Sequence, residues 1–486
     1  MRVCHLAVFL LGGILQLPAA EPGPACNLVF ISMTNTRADH LGVYGYQRNT
    51  SPHIDQFAKK SVVFKNIFSH ASWTLPASIS LFTSLYPFTH RLLNREDFQP
   101  LAPGIPTFVD VLKQHGYVSA AFVGNRDYSP KFGHTSRFDH TAEAVMQGEQ
   151  EDWKTYGVFE NTMPLARDWL RQNRDKKFFL LVQGYDTHCP FAAPKENRQF
   201  DPGYRGKIDF STCYWTFERT RPIKKRAESG EYVDIFPLKT RPAPGRDNFE
   251  VMFYPEDVRH MIALYDGEIF NADQWVGKLL DDLISLDLER KTVVVIYSDH
   301  GDMFGKHGRF MRGGPLRGTF YDDVLHVPLI IRHPDIAPQS VEGLGQIIDI
   351  APTLLDFLGQ PNPSEFRGKS LRPLLSKTGP GTQQVAEGAV NSHVYAGAAF
   401  YPSDRNPFFR HDSIIVAVRN EKWKLIAERL VLPDGPSDSF ELYDLGKDSE
   451  ELSNVAAQQF EVLGELKGRL RDWLRDLGSE SVLPGL

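Results

Sequence analysis

The hydrophobic positions of this chain fall into short continuous runs that alternate with amphipathic stretches. Five runs rich in β-branched residues predict buried strands, at residues 27–33, 117–123, 178–184, 292–298 and 327–332. Other stretches have apolar residues at helical spacing and predict helices, at residues 52–60, 107–115 and 256–286. Strands and helices in alternation predict an α/β fold with a large, doubly wound, mostly parallel sheet.

The pattern changes in two places. Between residues 195 and 249 the regular spacing stops, and Arg, Lys, Pro and Gly become frequent. We predict a long surface insertion there, which either flanks a substrate site or is a plain loop. From residue 369 to 486 the chain has short strand patterns followed by one helical pattern near 458–473. This part predicts a small C-terminal α+β subdomain, which leaves residues 27–368 as the main domain.

Charge and the start of the chain narrow the class of protein. The 54 basic and 60 acidic residues give a formal net charge of -6, which does not favour a nucleic-acid partner. Residues 1–20 contain Arg2, an apolar run and a small-residue end, which predicts a signal peptide and export to the periplasm, the cell exterior or the secretory lumen. The leader is either cleaved or kept as a single anchor. No later stretch is apolar over about eighteen residues, so we expect no multi-span membrane insertion.

The cysteines are too few for a disulfide framework. Cys4 lies in the predicted leader, and the remaining three leave room for one bridge. Cys189 and Cys213 are the expected pair, because both flank the same insertion. The sequence carries no signal for the oligomeric state.

The segment at residues 298–302 has the strongest chemical signal. It reads Ser-Asp-His-Gly-Asp and directly follows a predicted buried strand, which places Asp299 and His300 at the carboxyl end of that strand. Ligand sites of open α/β sheets lie at such ends. A carboxylate and an imidazole form half of a divalent metal site, with Asp302 and His307 near enough to contribute. A plain polar turn would give the same pattern.

Five segments resemble the sulfatase family of the alkaline-phosphatase-like superfamily, in the family's order along the chain. They include NLVFISMTNTRADHLGVYGY at 27–46, SHASWTLPASISLFTSLYP at 69–87 and QGYDTHCPF at 183–191. The others lie at 292–307 and at 417–426 with 441–445. The resemblance spans about residues 27–475. It implies hydrolysis of a sulfate ester, or of a related phosphate ester or diester, of a small molecule or glycan. It also implies one divalent cation, expected to be Ca²⁺.

The resemblance places Thr74 at the position of the nucleophile. In the family a cysteine or serine stands there and is oxidised to formylglycine, and an arginine follows four residues later. Threonine cannot undergo that oxidation, and Ser78 replaces the arginine. Thr74 therefore resembles relatives that use a threonine hydroxyl directly against phosphorus, with help from a metal ion. Thr74 as the N-cap of a helix that begins at Pro76 is the structural alternative.

The metal ligands implied by the resemblance are Asp299, His300, Asn35 and Thr34. The last two stand where the family usually has aspartates. Because Asn35 and Thr34 carry no charge, we expect the cation to bind weakly. Arg37 also matches the family pattern, either as a site residue or as part of a buried ion pair with Asp39 that braces the loop.

The remaining site residues follow from the same resemblance. His188 is expected to protonate the leaving group, with Asp186 orienting it, and Arg317 to neutralise oxyanion charge where the family has a lysine. Asn125, Asp186 and His307 are expected to contact the substrate. The rival hypothesis is a catalytically inactive sulfatase-like protein that binds a sulfated or phosphorylated glycan without turnover.

Overall fold

The protein is described by a computed structural model. The residues that it describes are 27–93, 99–144, 157–206, 214–215, 222–226, 231–240, 250–310, 319–375, 390–400 and 413–486. The predicted signal peptide, Arg317 and Cys213 lie outside these residues. Within them, no helix is long and apolar enough to cross a bilayer.

The described strands form three sheets. In chain order they are β1 (Asn27–Met33), β2 (Val62–Phe68), β3 (Val118–Val123), β4 (His140–Glu143), β5 (Phe178–Gly184), β6 (Tyr214–Trp215), β7 (Ile223–Arg226), β8 (Tyr232–Thr240), β9 (Glu250–Phe253), β10 (Thr292–Tyr297), β11 (His326–Arg332), β12 (Gln339–Gln346), β13 (Val394–Phe400), β14 (Ser413–Arg419), β15 (Trp423–Leu432) and β16 (Gly435–Asp444).

The described α-helices are α1 (Pro52–Ala58), α2 (Thr74–Thr83), α3 (Pro87–His90), α4 (Phe108–Gln114), α5 (Phe159–Asn173), α6 (Pro255–Ser285), α7 (Asp322–Leu325), α8 (Ile350–Phe357) and α9 (Phe460–Asp476). The start of α4 shows why these boundaries occur where they do. Thr107 and Asp110 form a capping box that satisfies the first free N–H groups of that helix.

The main sheet has eight strands in the order β12-β2-β11-β10-β1-β5-β3-β4. Its pairs are parallel except those of β11, which runs antiparallel to β10 and β2. Alternate residues of β1 point to opposite faces: Leu28 and Phe30 join one hydrophobic cluster, and Val29 and Ile31 join another. The first cluster includes residues of α2, α4 and α8, and the second includes residues of α1, α5 and α6. Helices on both faces confirm the predicted doubly wound α/β fold.

Two small antiparallel sheets complete the described structure. Strands β13 to β16 pair in sequence and pack against α9, which confirms the predicted C-terminal α+β part. Strands β6 to β9 form the other sheet, built around β8. Three of these four strands lie within residues 195–249, so the described part of the predicted insertion is not a plain loop.

Candidate active site

The turns after β1, β5 and β10 meet at one edge of the main sheet, because β1 pairs in parallel with both other strands. Hydrogen bonds from Asn35 tie them together. Its backbone N–H donates to Asp299 Oδ1 at 2.9 Å. Its side-chain Nδ2 donates to the Thr187 carbonyl at 2.7 Å and to Asp302 Oδ2 at 2.9 Å. Asn35 has a φ of 68°, a left-handed conformation in which asparagine is enriched.

Thr74 lies buried beside this cluster, as the first residue of α2. The N-cap of α2 is Trp73, so the alternative of Thr74 as N-cap of a helix starting at Pro76 is wrong. Thr74 Oγ1 lies 3.3 Å from Asn125 Nδ2, which donates to it. It also lies 3.3 Å from His300 Nε2. The structure therefore brings Thr74, Asn125 and His300 together at a helix N-terminus, where free N–H groups favour anions.

The tautomer of His300 follows from its other neighbour. His300 Nδ1 lies 2.9 Å from the Gly301 carbonyl, which can only accept a hydrogen bond. Nδ1 therefore carries a proton, and in the neutral ring Nε2 presents its lone pair toward the Thr74 hydroxyl. In this arrangement the Thr74 hydroxyl donates to His300 and accepts from Asn125.

Thr34, the other neutral residue of the first turn, belongs to a polar network of the protein. Its Oγ1 accepts from Gln183 Nε2 at 2.8 Å, and its carbonyl accepts from the Thr187 hydroxyl. Thr34 is completely buried. Its role as a metal ligand remains a prediction.

Two buried oxygens test whether this turn suits a cation. Within the described residues, Asn35 Oδ1 and Asp299 Oδ2 have no hydrogen-bond partner. A hard cation would satisfy both atoms. Asp302, by contrast, has its carboxylate bonded by Asn35 Nδ2 and by the Met303 N–H. No group of three or more His, Cys, Asp or Glu side chains in the described chain is arranged to hold a metal. These oxygens therefore fit a cation, but they offer it few ligands and little negative charge.

Arg37 braces the cluster. Its guanidinium pairs with Asp39 and Asp323, each at 2.6 Å, and donates to the Asp302 carbonyl at 3.0 Å. The Tyr265 hydroxyl, on α6, accepts from the Arg37 N–H and donates to the Asn35 carbonyl, both at 2.8 Å. These contacts support the expected ion pair of Arg37 with Asp39 that fixes the turn after β1.

His188 and Asp186 lie after β5 but do not contact each other as expected. The Asp186 carboxylate accepts from the Phe159 N–H at 2.9 Å and from Asn271 Nδ2 at 3.3 Å. His188 Nδ1 instead faces the Cys189 carbonyl at 2.6 Å, and its ring stacks on Tyr185 at 4.2 Å. The described hydrogen bonds of Asp186 come from other residues, so the expectation that Asp186 orients His188 gains no support from the structure. Cys189 is disulfide-bonded.

Asp186 and His188 line a cavity of about 370 Å³ between the segment after β5 and α6. Glu268 and Asn271 of α6 line its opposite wall. Burial raises the pKa of Asp186 to about 7. Burial and the neighbouring Asp186 raise the pKa of Glu268 well above its usual range. Burial therefore favours the protonated form of both carboxyl groups beside His188.

Tyr265, Glu268 and Asn271 were not predicted from the sequence. They follow one another at intervals of three residues and so lie on one face of α6. Their signal was available, because polar groups recur at that spacing within a long, largely apolar helical pattern.

His307 lies elsewhere. It has a φ of 56° and stacks on Tyr321, with ring centroids 3.7 Å apart. The Tyr321 hydroxyl in turn donates to Glu441 on β16 at 2.6 Å. No described contact joins His307 to Thr74, so its predicted role in substrate binding gains no support from the structure. Arg317 lies outside the described residues.

Family profiles match most of the chain. The sulfatase profile matches residues 26–360, and the profile "N-sulphoglucosamine sulphohydrolase, C-terminal" matches residues 305–477. Among curated proteins, arylsulfatase K of Rattus norvegicus is 27% identical over 444 residues, which cover 86% of this chain and 73% of the relative. Arylsulfatase K of Homo sapiens is also 27% identical, over 86% of this chain and 76% of the relative.

Solved structures share the fold. A 2-O GAG sulfatase is 21% identical with a TM-score of 0.68, and covers 94% of this chain and 93% of its own. The phosphonate monoester hydrolase of Agrobacterium radiobacter is 22% identical with a TM-score of 0.65, over 94% and 96%. A third protein, solved with its substrate D-glucosamine-2-N,6-O-disulfate, is 19% identical with a TM-score of 0.65, over 93% and 98%. With the profile match over more than half of its length, the chain belongs to the sulfatase family, within the alkaline-phosphatase-like superfamily, and is a sulfuric-ester-hydrolase-like protein.

Proposed function

We propose that the protein hydrolyses a sulfate ester, or a related phosphate ester or diester, with Thr74 as the nucleophile. The observation that carries this proposal is the position of the Thr74 hydroxyl between Asn125 and His300 at the start of α2. The names of the arylsulfatase K relatives favour sulfur. The phosphonate monoester hydrolase among the fold neighbours supports the alternative of a phosphorus ester as substrate.

In this scheme the Thr74 oxygen attacks sulfur or phosphorus and passes its proton to His300 Nε2. The ester oxygen leaves with a proton from His188. Water, which gives a proton back to His188, then attacks the sulfur or phosphorus, and the Thr74 oxygen leaves with the proton held by His300. The N–H groups at the start of α2, with Arg317 as proposed from the sequence, stabilise the transferred oxyanion. His300 Nε2 cannot bind a cation and accept from the Thr74 hydroxyl at the same time. Its 3.3 Å contact with Thr74 Oγ1 supports the role of proton acceptor over that of metal ligand.

We also propose one weakly held divalent cation, expected to be Ca²⁺. Asp299 Oδ2 and Asn35 Oδ1 would hold it, since both are buried oxygens without a hydrogen-bond partner among the described residues. Such an ion supplies positive charge for the developing oxyanion. Asn35 and Asp299 lie together through the 2.9 Å hydrogen bond from the Asn35 N–H.

The substrate class and the location complete the proposal. We expect the ester of a small molecule or a glycan, which is supported by the fold neighbour solved with a disulfated glucosamine. Residues 1–20 support export of the protein.

The second candidate is a sulfatase-like protein that binds a sulfated or phosphorylated glycan without turnover. It is favoured by the two neutral residues Thr34 and Asn35 and by the absence of a three-residue metal cluster in the described chain. The two candidates differ in one measurable respect, because only the first requires the Thr74 hydroxyl for turnover.

The test uses the full chain with Ca²⁺ and a panel of nitrophenyl sulfate, phosphate and phosphodiester substrates. We expect turnover of at least one substrate and a loss of about a thousandfold or more in Thr74→Ala, while Thr74→Ser keeps partial activity. Thr83→Ala is the matched control, because it removes a buried hydroxyl from the same helix, one that donates to the Ile79 carbonyl. Full activity of Thr74→Ala would reject the nucleophile. No turnover of any substrate, with binding of a sulfated sugar by calorimetry, would favour the second candidate.

A further inference from the structure

The small sheet of β6 to β9 has an edge strand whose side chains all face solvent. Within the described residues β7 pairs only with β8, and all four of its positions are exposed. They are Ile223, Lys224, Lys225 and Arg226, so three cations follow one another. Because exposed side chains contribute little to a core, packing does not account for this strand, and what it presents to solvent is positive charge.

Positive charge is concentrated in this part of the chain. The predicted insertion at residues 195–249 contains 12 basic and 8 acidic residues, a difference of +4, whereas the whole chain has 54 basic and 60 acidic residues. A local excess of positive charge on a protein that is negative overall attracts polyanions to one place on its surface. The insertion is therefore the part of the chain where charge favours an anionic partner.

One face of the β7–β8 pair combines cations with an exposed aromatic ring. In the antiparallel register Arg226 lies opposite Tyr232 and Lys224 lies opposite Asp234, so the four side chains share a face. Tyr232 is 70% exposed. Lys224 Nζ lies 2.6 Å from Asp234 Oδ1, and Arg226 and Lys225 add two further charges to the strand. Lys and Arg bind the oxygens of sulfate groups, and an exposed ring stacks on the apolar face of a sugar.

Aromatic packing fixes this sheet beside the segment that follows the turn after β10. Phe236 on β8 and Phe253 on β9 contact the ring of Phe310, with centroid distances of 5.2 and 5.6 Å. Phe310 pairs through its backbone with Phe304, whose ring centroid lies 5.9 Å from the Arg37 guanidinium. Since Arg37 braces the turn after β1, these contacts anchor the sheet on the side of the molecule that carries the candidate active site.

We propose that β7, with Tyr232 of β8, is a docking surface for the sulfated polysaccharide chain that carries the ester. The cations bind sulfate groups along the chain, and the Tyr232 ring stacks on a sugar between them. Because the surface is exposed, salt screens the attraction. The inference deepens the proposed function and rests on it for the choice of a sulfated chain, but binding at β7 requires no turnover.

Binding of a heparin-derived octasaccharide tests this surface. The full chain carries Thr74→Ala, so that calorimetric titration at about 50 and about 150 mM salt measures binding without hydrolysis. We expect joint replacement of Lys224, Lys225 and Arg226 by Gln to weaken binding by about tenfold or more and to make it less dependent on salt. Tyr232→Ala should weaken it by about threefold at both salt concentrations, because stacking is not ionic.

The matched control replaces three cations at the opposite edge of the main sheet, Lys60, Arg290 and Lys291, by Gln. Arg290 and Lys291 directly precede β10, and Lys60 Nζ lies 3.9 Å from a carboxylate oxygen of Glu289. All three are exposed. This variant should bind the octasaccharide as the parent does. Lys224→Arg with Lys225→Arg keeps the charge of β7 and should keep the affinity, even where the Gln variant folds poorly.

Three results would overturn the inference. The first is unchanged binding by the β7 Gln variant, even if that variant aggregates because its edge strand has lost the lysines that oppose pairing. The second is an equal loss in the control variant. The third is tighter binding of a single-stranded oligonucleotide of equal charge, which would point to nucleic acid instead. Octasaccharide binding at β7 by a wild type that hydrolyses no ester would overturn only the proposed function.

Discussion

The two sides of the segment after β5 differ in where they place charge. On one side, the Thr187 carbonyl and hydroxyl contact Asn35 and Thr34, which are neutral. On the other side, Asp186 and Glu268 bring two carboxyl groups to the cavity. Both sides are buried, so each charge or its absence has a large effect on the local field.

The difference shows that two buried polar clusters can be satisfied in different ways. The turn after β1 is held by hydrogen bonds, in which Asn35 Nδ2 occupies the Asp302 carboxylate at 2.9 Å. In the cavity, burial instead raises the pKa of Asp186 and Glu268, so that bound protons rather than positively charged side chains neutralise them. We therefore expect the first cluster to respond to metal ions and the second to pH, and each response can be measured separately.

The largest expected effect comes from placing a charge at Asn35, in the turn after β1. Asn35→Asp replaces the amide N–H groups that donate to Asp302 and Thr187 with a second acceptor. Without a cation, this repulsion should lower the stability by about 3 kcal/mol and Tm by about 6 °C. Millimolar Ca²⁺ should restore most of the loss, because the carboxylate is a stronger ligand than the amide. Calorimetric melting with and without Ca²⁺ measures both effects.

The matched control for this variant is Asn161→Asp, which makes the same change on the exposed surface of α5. It should melt like the wild type and show no response to Ca²⁺. A stability loss in Asn35→Asp that Ca²⁺ leaves unchanged would mean that the turn after β1 holds no cation, and the weak metal site would be rejected.

Part of the fold was predictable from local pattern. Strands β1 and β5 begin and end where their apolar runs do, because both are buried on two faces. Strand β12 has only two buried apolar side chains, Val341 and Leu344, and was missed at the sheet edge. Strand β7 is exposed at all four positions and is a strand only through its pairing with β8, which no hydrophobic pattern reveals.

Some residues of the candidate site were likewise predictable from the sequence, and others were not. Thr74 was found through the family resemblance of residues 69–87, and Asp299 because it directly follows a predicted strand. Tyr265 and Glu268 reach the site from a helix more than two hundred residues after the first turn, through tertiary packing. The partners of Asp186 could not be predicted either, because Phe159 and Asn271 are distant in sequence.

A smaller effect should appear on the acidic side as a dependence on pH. The pKa of Asp186 is about 7 in the folded protein and about 4 in an unfolded chain, so the folded state binds more protons between these values. Its stabilising contribution is full below about pH 4 and is lost as the pH rises through about 7. As the pH rises from 5 to 8, the free energy of unfolding of Asp186→Asn should therefore rise by about 2 kcal/mol relative to that of the wild type, as measured by urea unfolding.

Asp175→Asn is the control for this shift, because the Asp175 side chain is 93% exposed. It should follow the wild type at every pH. A difference between wild type and Asp186→Asn that stays constant from pH 5 to pH 8 would show that the Asp186 carboxyl titrates normally and that the acidic side is not distinct from the neutral one.

The smallest expected effect is the loss of activity on substitution of Asn125, whose amide nitrogen and amide oxygen make separate contacts. Its Nδ2 donates to Thr74 Oγ1 at 3.3 Å, and its Oδ1 accepts from the Asp127 N–H at 2.9 Å as a cap of the following turn. A neutral hydrogen bond of that length is worth about 1 kcal/mol, so its loss should lower kcat by about three- to tenfold.

Asn125→Ser keeps a capping oxygen but cannot reach Thr74, whereas Asn125→Ala loses both contacts. We therefore expect equal losses of kcat in the two variants and a stability loss of about 1 kcal/mol only in Asn125→Ala. Activity that follows stability instead would assign Asn125 to the turn alone and leave the Thr74 hydroxyl positioned by His300.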